Sequence, residues 1–436
     1  MRITVVGMGK IGLPLAVQYA RKGHTVIGTD IDASTVELIN NGAVPFPREA
    51  HLEEYLQEVV ASGHLYASLN TAEAVRESDA VVIVVPLFVD DEARPDFCAM
   101  DAATMAVGDG LQVGTLVAYE TTLPVGTTRE RLAPLLEERS GLIAGQDFSV
   151  VFSPERVLTG RVFSDLRRYP KLVGGIDPES EARGKSFYEA VLDFDPRNDL
   201  ERPNGVWEMG SAEAAELAKL AETTYRDVNI GLANQFAKFA EVKGIDVRLV
   251  IDACNSQPFS HIHTPGIAVG GHCIPVYPRL YLWNDPEATI VSAAREANAG
   301  MPGQAVERIA RRLGDIRSLR VAILGAAYRG GVKETAFSGV FPLAAELRHC
   351  GATVLVHDPL YSDEELIGLG FDPYHRGDPA DVIVVQADHK EYATWGPDSS
   401  PGVRLVFDGR GVMDPSMWRG VADLMRIGEE TRRLES

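Results

Sequence analysis

The chain has 436 residues, 45% hydrophobic and 24% charged, the balance of an ordinary soluble globular protein. At that length two or three domains are expected. A formal charge of −20 argues against nucleic acid or an anionic membrane as the main partner, and no apolar run approaches the roughly 18–20 residues of a membrane span.

The first residues, Met1-Arg2-Ile3-Thr4-Val5-Val6-Gly7, start directly as a strand, without the features of a signal peptide, so a cytoplasmic protein is expected. Ile3 to Val6, Thr25 to Thr29, Ala80 to Val85, Leu116 to Tyr119 and Ser149 to Phe152 are β-branched and nearly continuous, as buried strands are. Helical patterns such as Leu13 to Lys22 and Ala33 to Asn40 fall between them. The alternation predicts a parallel α/β sheet with crossover helices.

Gly7-Met8-Gly9-Lys10-Ile11-Gly12 follows the first strand and opens a helix. Gly7 permits the tight turn, Gly9 lets the backbone approach a pyrophosphate, and Gly12 lets helix and strand pack closely. The free N–H groups of the helix N-terminus attract the phosphates. Asp30, ending the second strand, would accept from ribose hydroxyls and repel a 2′-phosphate, so NAD is expected rather than NADP.

From Ser211 to Lys243 the pattern is one long helix without proline. Its length exceeds the usual 8–20 residues and predicts a helix that spans two domains and forms a subunit interface. A Gly- and Pro-rich loop follows, from Gln257 to Pro278. Within it, Gly270-Gly271-His272-Cys273-Ile274-Pro275 places a cysteine beside paired glycines that let a backbone come close to a ligand. Taken alone the cysteine reads first as an inert core filler; beside a nicotinamide site the reading reverses, because a thiolate can attack an aldehyde and hold it covalently. His272 either lowers the thiol pKa or is structural. His261 and His263 lie near, but no third ligand stands in clear spacing and no metal is expected. The other cysteines, Cys98, Cys254 and Cys350, are far apart with no CxxC pair, which fits reduced cytosolic thiols.

Val321 to Leu324 opens a second α/β unit, with strands near Thr353 to Val356, Val382 to Val385 and Leu405 to Phe407. Gly325 follows its first strand, but Ala326 and Ala327 stand where a second glycine would be needed. A nucleotide of another kind still suits a crevice at the ends of parallel strands. The fold expected is therefore α/β, two Rossmann-like parallel-sheet domains joined by a long central helix. The last dozen residues, ending Arg432-Arg433-Leu434-Glu435-Ser436, are expected to fray.

Six segments in order carry a resemblance. They are the glycine fingerprint, Glu120 to Thr128 (ETTLPVGTT), Ser153-Pro154-Glu155-Arg156, Ala212 to Asn229 (AEAAELAKLAETTYRDVN), Val269 to Pro275 (VGGHCIP) and His357-Asp358-Pro359. Together they resemble the UDP-glucose/GDP-mannose dehydrogenase family over nearly the whole chain. The long helix and VGGHCIP look most like the branch that oxidises UDP-N-acetyl-hexosamines. The resemblance implies an NAD domain over 1–200, a helical dimerisation region with the cysteine loop over 201–300, and a sugar-nucleotide domain over 301–436. It also implies a homodimer or larger homo-oligomer.

The activity implied is a four-electron oxidation of the C6 alcohol of a nucleotide-diphosphate sugar, using two NAD and passing through a Cys273 thiohemiacetal and thioester to a uronic acid. Lys219 is then the fixed positive charge for developing oxyanions, Glu155 the acid/base or water-orienting group, Thr122 a second holder of that water, and Thr223 a hydroxyl donor. Gly7, Gly9, Lys10, Ile11, Gly12, Asp30, Pro86 and Thr122 are the expected cofactor contacts. Glu155, Arg156, Lys219, Gly270, Gly271, Arg329 and Arg410 are the expected substrate contacts. The chain departs from the family pattern at Thr223 (usually asparagine), Tyr277 (usually aspartate), Phe259 and Ala336 (each usually arginine). These departures keep open a dTDP-glucose substrate, an enzyme that stops at the aldehyde, and a non-catalytic binding homologue. A 3-hydroxyacid dehydrogenase shares the first fingerprint but leaves VGGHCIP and the second α/β half unexplained.

Overall fold

The computed structural model describes residues 1–46, 49–90 and 94–429. The chain divides into two units, Met1–Ala221 and Glu222–Ser436.

The first unit is built on an eight-stranded sheet. From one edge its strands are Val206–Glu208, Lys171–Gly175, Ser149–Phe152, Leu116–Tyr119, Ala80–Ile83, Arg2–Val6, Thr25–Thr29 and Leu65–Ser68. The chain starts in the middle, steps outward twice, then returns to Ala80–Ile83 on the other side of its first strand. That reversal leaves a crevice at the carboxyl ends of Arg2–Val6 and Ala80–Ile83, the usual ligand position in a doubly wound sheet. Ile3, Val5, Val26, Val82 and Ala118 pack with Leu13 and Val17 of the helix Gly12–Arg21 in one buried cluster. Lys171–Gly175 breaks the parallel run: it pairs antiparallel with Ser149–Phe152, Phe152 opposite Gly174.

The second unit repeats the order with six strands, Asp372–Pro373, Thr353–His357, Arg320–Leu324, Val382–Val385, Leu405–Asp408 and Asp423–Arg426, every pair parallel. Its central strands alternate between two cores. Val321, Ile323, Val382 and Val384 join Ile309 and Leu343 on one face, while Ala322, Leu324, Ile383 and Val385 join Trp395 and Trp418 on the other. Burial on both faces is why these strands read as unbroken apolar runs.

The helix Ala212–Lys243 spans 32 residues and runs across the boundary between the units. Its one internal glycine has a packing cause: a Cβ on Gly231 would stand 3.0 Å from the Cβ of Ala294.

Three details differ from the sequence reading. The strand expected over Ala80 to Val85 stops at Ile83. The loop expected to reach Pro278 ends earlier, because Pro278 sits in the first turn of the helix Tyr277–Asn284, where its missing N–H costs nothing. Ordered structure also runs further into the expected tail: Asp423–Arg426 is an edge strand and Ile427 is buried, while Arg432 to Ser436 lie outside the described residues. Among the described residues, no helix is long and apolar enough to cross a membrane.

Candidate active site

The turn after the first strand carries the cofactor signals. Gly7 has φ +92°, and its N–H donates to Thr29 O at 2.8 Å. A Cβ on Gly12 would fall 1.8 Å from Gly7 O, so only glycine lets this helix start so close to the turn. A Cβ on Gly9 would meet nothing within 4 Å, which leaves that backbone open to a ligand. No side chain caps the first N–H groups of Gly12–Arg21, and Ile11 occupies the cap position. Leu13 N already donates to Gly9 O at 3.1 Å and Pro14 has no N–H, which leaves the N–H groups of Ile11 and Gly12 to face an anion. Asp30 is held by two backbone donors, Met8 N at 2.8 Å to Oδ2 and Asp32 N at 3.0 Å to Oδ1. Each oxygen keeps a lone pair for a ribose hydroxyl. These residues fit a dinucleotide. Lys10 and Pro86 are exposed on this rim, and Thr122 is buried.

Deeper in the first unit, two adjacent strand ends deliver Glu120 and Glu155 to one buried lysine. Lys171 Nζ lies 2.7 Å from Glu120 Oε2 and 2.8 Å from Glu155 Oε2. The second oxygen of Glu120 accepts from Tyr188 OH at 2.7 Å and Tyr19 OH at 3.2 Å. The second oxygen of Glu155 accepts from Arg156 N at 2.7 Å. Lys219, on the long helix, donates from Nζ to the Glu155 carbonyl at 2.6 Å. Lys219, Glu155 and Arg156 therefore do meet, with the Arg156 guanidinium turned to the Pro170 carbonyl.

Burial alone pushes both carboxyls up. For Glu120 burial prevails and its pKa is raised. For Glu155 burial is overcome by Lys171, the Arg156 N–H and Lys219, and its pKa is lowered. The two environments thus pull the carboxyl pKa values apart, with Glu155 the more readily ionised of the pair. Sequence reading missed Lys171 and gave Glu120 no role. A short strand that opens on a lysine and closes on two glycines carries little strand signal.

One turn before Lys219, the buried Glu216 accepts from Gly126 N at 2.6 Å, Thr128 N at 2.9 Å and Thr128 Oγ1 at 2.7 Å. Burial raises its pKa to about 7 against those donors. The carboxylate ties the ETTLPVGTT segment, and with it Thr122, to the long helix. Thr223, four residues past Lys219 and so on the same helix face, is fully buried.

In the second unit the cysteine loop is fixed from several sides. A Cβ on Gly270 would stand 2.6 Å from Tyr328 Cβ and 2.9 Å from Phe337 O, and Gly271, with φ +97°, donates to Ala336 O at 2.9 Å. His272 Nε2 lies 3.3 Å from Glu334 Oε2. Tyr277 N donates to Cys273 O at 2.9 Å, so the cysteine sits immediately before the first turn of Tyr277–Asn284. Its thiol is free and half-buried. Behind the loop, Arg295 Nη1 pairs with Asp227 Oδ1 at 2.9 Å and reaches Ile274 O at 3.4 Å.

Arg410 lies along the same loop: its Nε donates to Gln386 O at 2.6 Å, and Nη2 lies 3.3 Å from Tyr328 O and 3.5 Å from Ala268 O. Burial lowers its pKa, and Asp388 opposes the shift. Arg329 is exposed, with Nε against Tyr328 OH at 3.2 Å. Asp358 holds the turn after Gly325 much as Asp30 holds the turn after Gly7, accepting from Ala326 N and Ala327 N at 2.9 and 3.0 Å. His389 and Leu360 N also bind it, so unlike Asp30 it is enclosed. Phe259 is 93% exposed. Among the described residues no group of three His, Cys, Asp or Glu side chains is arranged to hold a metal ion.

Residues 1–192 match the NAD binding domain of the UDP-glucose/GDP-mannose dehydrogenase family, 213–300 its central domain and 322–415 its UDP binding domain. A UDP-N-acetyl-D-mannosamine dehydrogenase of Pyrococcus horikoshii is 34% identical over 432 residues, covering 95% of this chain and 96% of its own. The structure of a UDP-D-ManNAc dehydrogenase from the same organism matches at TM-score 0.85 and 31% identity, covering 98% of this chain and 99% of its own. A UDP-glucose dehydrogenase structure from Pyrobaculum islandicum matches at TM-score 0.85 and 26% identity, covering 99% and 98%.

Proposed function

The chain belongs to the UDP-glucose/GDP-mannose dehydrogenase family, with the family's NAD binding and UDP binding domains present, and from this premise we propose that it oxidises C6 of UDP-N-acetylmannosamine to the uronic acid. Several relatives with this activity in their names, over 90% or more of the chain, support that sugar over the UDP-glucose and dTDP-glucose alternatives. The observation that carries the chemistry is the half-buried free thiol of Cys273 on a glycine loop, just ahead of the helix Tyr277–Asn284.

Bound NAD supplies the hydride acceptor, one molecule for each of two steps. Glu155, ionised, takes or orients the proton that leaves the C6 hydroxyl, and Lys219 offsets the charge on the developing oxyanion. The Cys273 sulfur adds to the aldehyde carbon, giving a thiohemiacetal whose oxidation leaves a thioester. Water, oriented by Glu155 and Thr122, attacks that carbonyl and releases the carboxylate and the thiol. Thr223 donates a hydrogen bond to the oxyanion from a shorter side chain than asparagine. Arg156, Arg329, Arg410, Gly270 and Gly271 bind the sugar diphosphate. The apolar face of the long helix, where Tyr225, Phe239 and Val242 are exposed, pairs with a second copy of the chain.

The test is turnover of UDP-N-acetylmannosamine, UDP-glucose and dTDP-glucose side by side. The proposal expects kcat/KM to be highest for the first by at least about tenfold, roughly 1.4 kcal/mol of transition-state binding. Preference for either glucose nucleotide refutes the sugar assignment, and no NADH from any of them refutes the activity.

A further inference from the structure

Lys171 has no place in the chemistry above, yet it is one of the most enclosed charges in the first unit, its side chain 4% exposed. The sheet explains how it arrives there. In a parallel sheet the first residue of a strand lies at the opposite edge from its neighbours' carboxyl ends. Lys171–Gly175 runs antiparallel to Ser149–Phe152, with Phe152 opposite Gly174 and Val151 opposite Gly175. Extending that register past Ser153, whose Oγ donates to Leu172 O at 2.7 Å, brings Lys171 level with Glu155. This reversed strand thus feeds an ammonium into the end of the sheet where Glu120 and Glu155 emerge.

Resting on the base role given to Glu155 above, we propose that Lys171 is the positioning residue of this site: it holds the Glu155 carboxylate ionised and aimed, and Glu120 anchors the lysine from behind. Both contacts are short, and the anchor is itself locked by two tyrosine hydroxyls. The charged and titratable groups facing Glu155 are Lys171 and Glu120 from the sheet, Lys219 from the long helix, and Tyr19 and Tyr188 from the flanking helices. Lys171 is bonded to the carboxylate itself, and Lys219 Nζ donates to the Glu155 backbone carbonyl. Removing Lys171 leaves a buried carboxylate whose desolvation favours the protonated form, and a protonated Glu155 accepts no proton.

The experiment titrates Glu155 directly, by NMR of full-length protein carrying 13C-labelled glutamate carboxyls, with Glu155→Gln assigning the signal. Lys171→Met should raise the Glu155 midpoint by about one unit or more, and Lys171→Arg should restore it. Glu120→Gln, which removes a neighbouring negative charge and keeps the site polar, should lower it; this variant decides the question if the Met variant does not fold. The acid limb of the kcat/KM profile should move upward with the midpoint in Lys171→Met, while NADH binding holds as the control for folding. A midpoint unmoved in Lys171→Met and Glu120→Gln overturns the proposal. A midpoint that moves while the acid limb stays upholds the lysine's hold on the carboxylate and refutes instead the base role of Glu155.

Discussion

Replacing Arg295 by Met tests how the cysteine loop is supported. Arg295 and Asp227 are 15% and 0% exposed at the side chain, 2.9 Å apart. Burial lowers the pKa of Arg295 and raises that of Asp227 in spite of their mutual attraction, so desolvation outweighs pairing at both ends. Such a pair adds little net stability while intact, but losing one partner strands the other, typically at ~3–5 kcal/mol. Asn298 Nδ2 still donates to Asp227 Oδ1 at 2.8 Å, which places Arg295→Met near the lower end, about 3 kcal/mol. Asp227→Asn/Arg295→Met removes the stranded charge and keeps the Asn298 acceptor, so it should return to within about 1 kcal/mol of the parent.

The assay is urea unfolding by tryptophan fluorescence in a Trp207→Phe background, which leaves Trp283, Trp395 and Trp418, all in the second unit. Because Arg295 also reaches Ile274 O, alkylation of Cys273 should quicken in the single variant. A single variant that loses less than about 1 kcal/mol, or a double variant no better than the single, refutes the reasoning.

Two other perturbations have definite signs. Glu216 is raised from its ordinary 4.5 to about 7 in the folded protein, chiefly by burial. The folded state therefore binds its proton more tightly: the contribution is full below pH 4.5 and is lost as pH rises through 7, about 3 kcal/mol in all. Calorimetry of Glu216→Gln across that window should show this component of the pH slope gone; an unchanged slope contradicts the assignment. Asp30→Ala removes the acceptor for Met8 N and Asp32 N and the proposed acceptor for the ribose, so NADH should bind about tenfold or more weakly and preference over NADPH should narrow. Undiminished preference in fluorescence titration contradicts the role of Asp30.

The sequence was most legible where local chemistry and packing agree. Runs such as Val382–Val385 announce strands because both faces are buried, and Gly7, Gly12 and Asp30 announce a cofactor turn because each answers a separate steric or electrostatic demand. It was least legible where a residue matters through a distant partner. Lys171 meets Glu120 across 51 positions and Arg295 meets Asp227 across 68, through strand pairing and helix packing that no local pattern announces. The edge strands Leu65–Ser68, Val206–Glu208 and Asp423–Arg426 escaped for a simpler reason: they are short and partly polar.

The most direct test of the account is the stoichiometry of NADH formed per UDP-N-acetylmannosamine consumed, measured for the wild type and for Cys273→Ser. The account predicts two NADH per sugar with the wild type and a collapse of turnover in the variant. One NADH per sugar, or a yield indifferent to Cys273, contradicts the covalent four-electron mechanism.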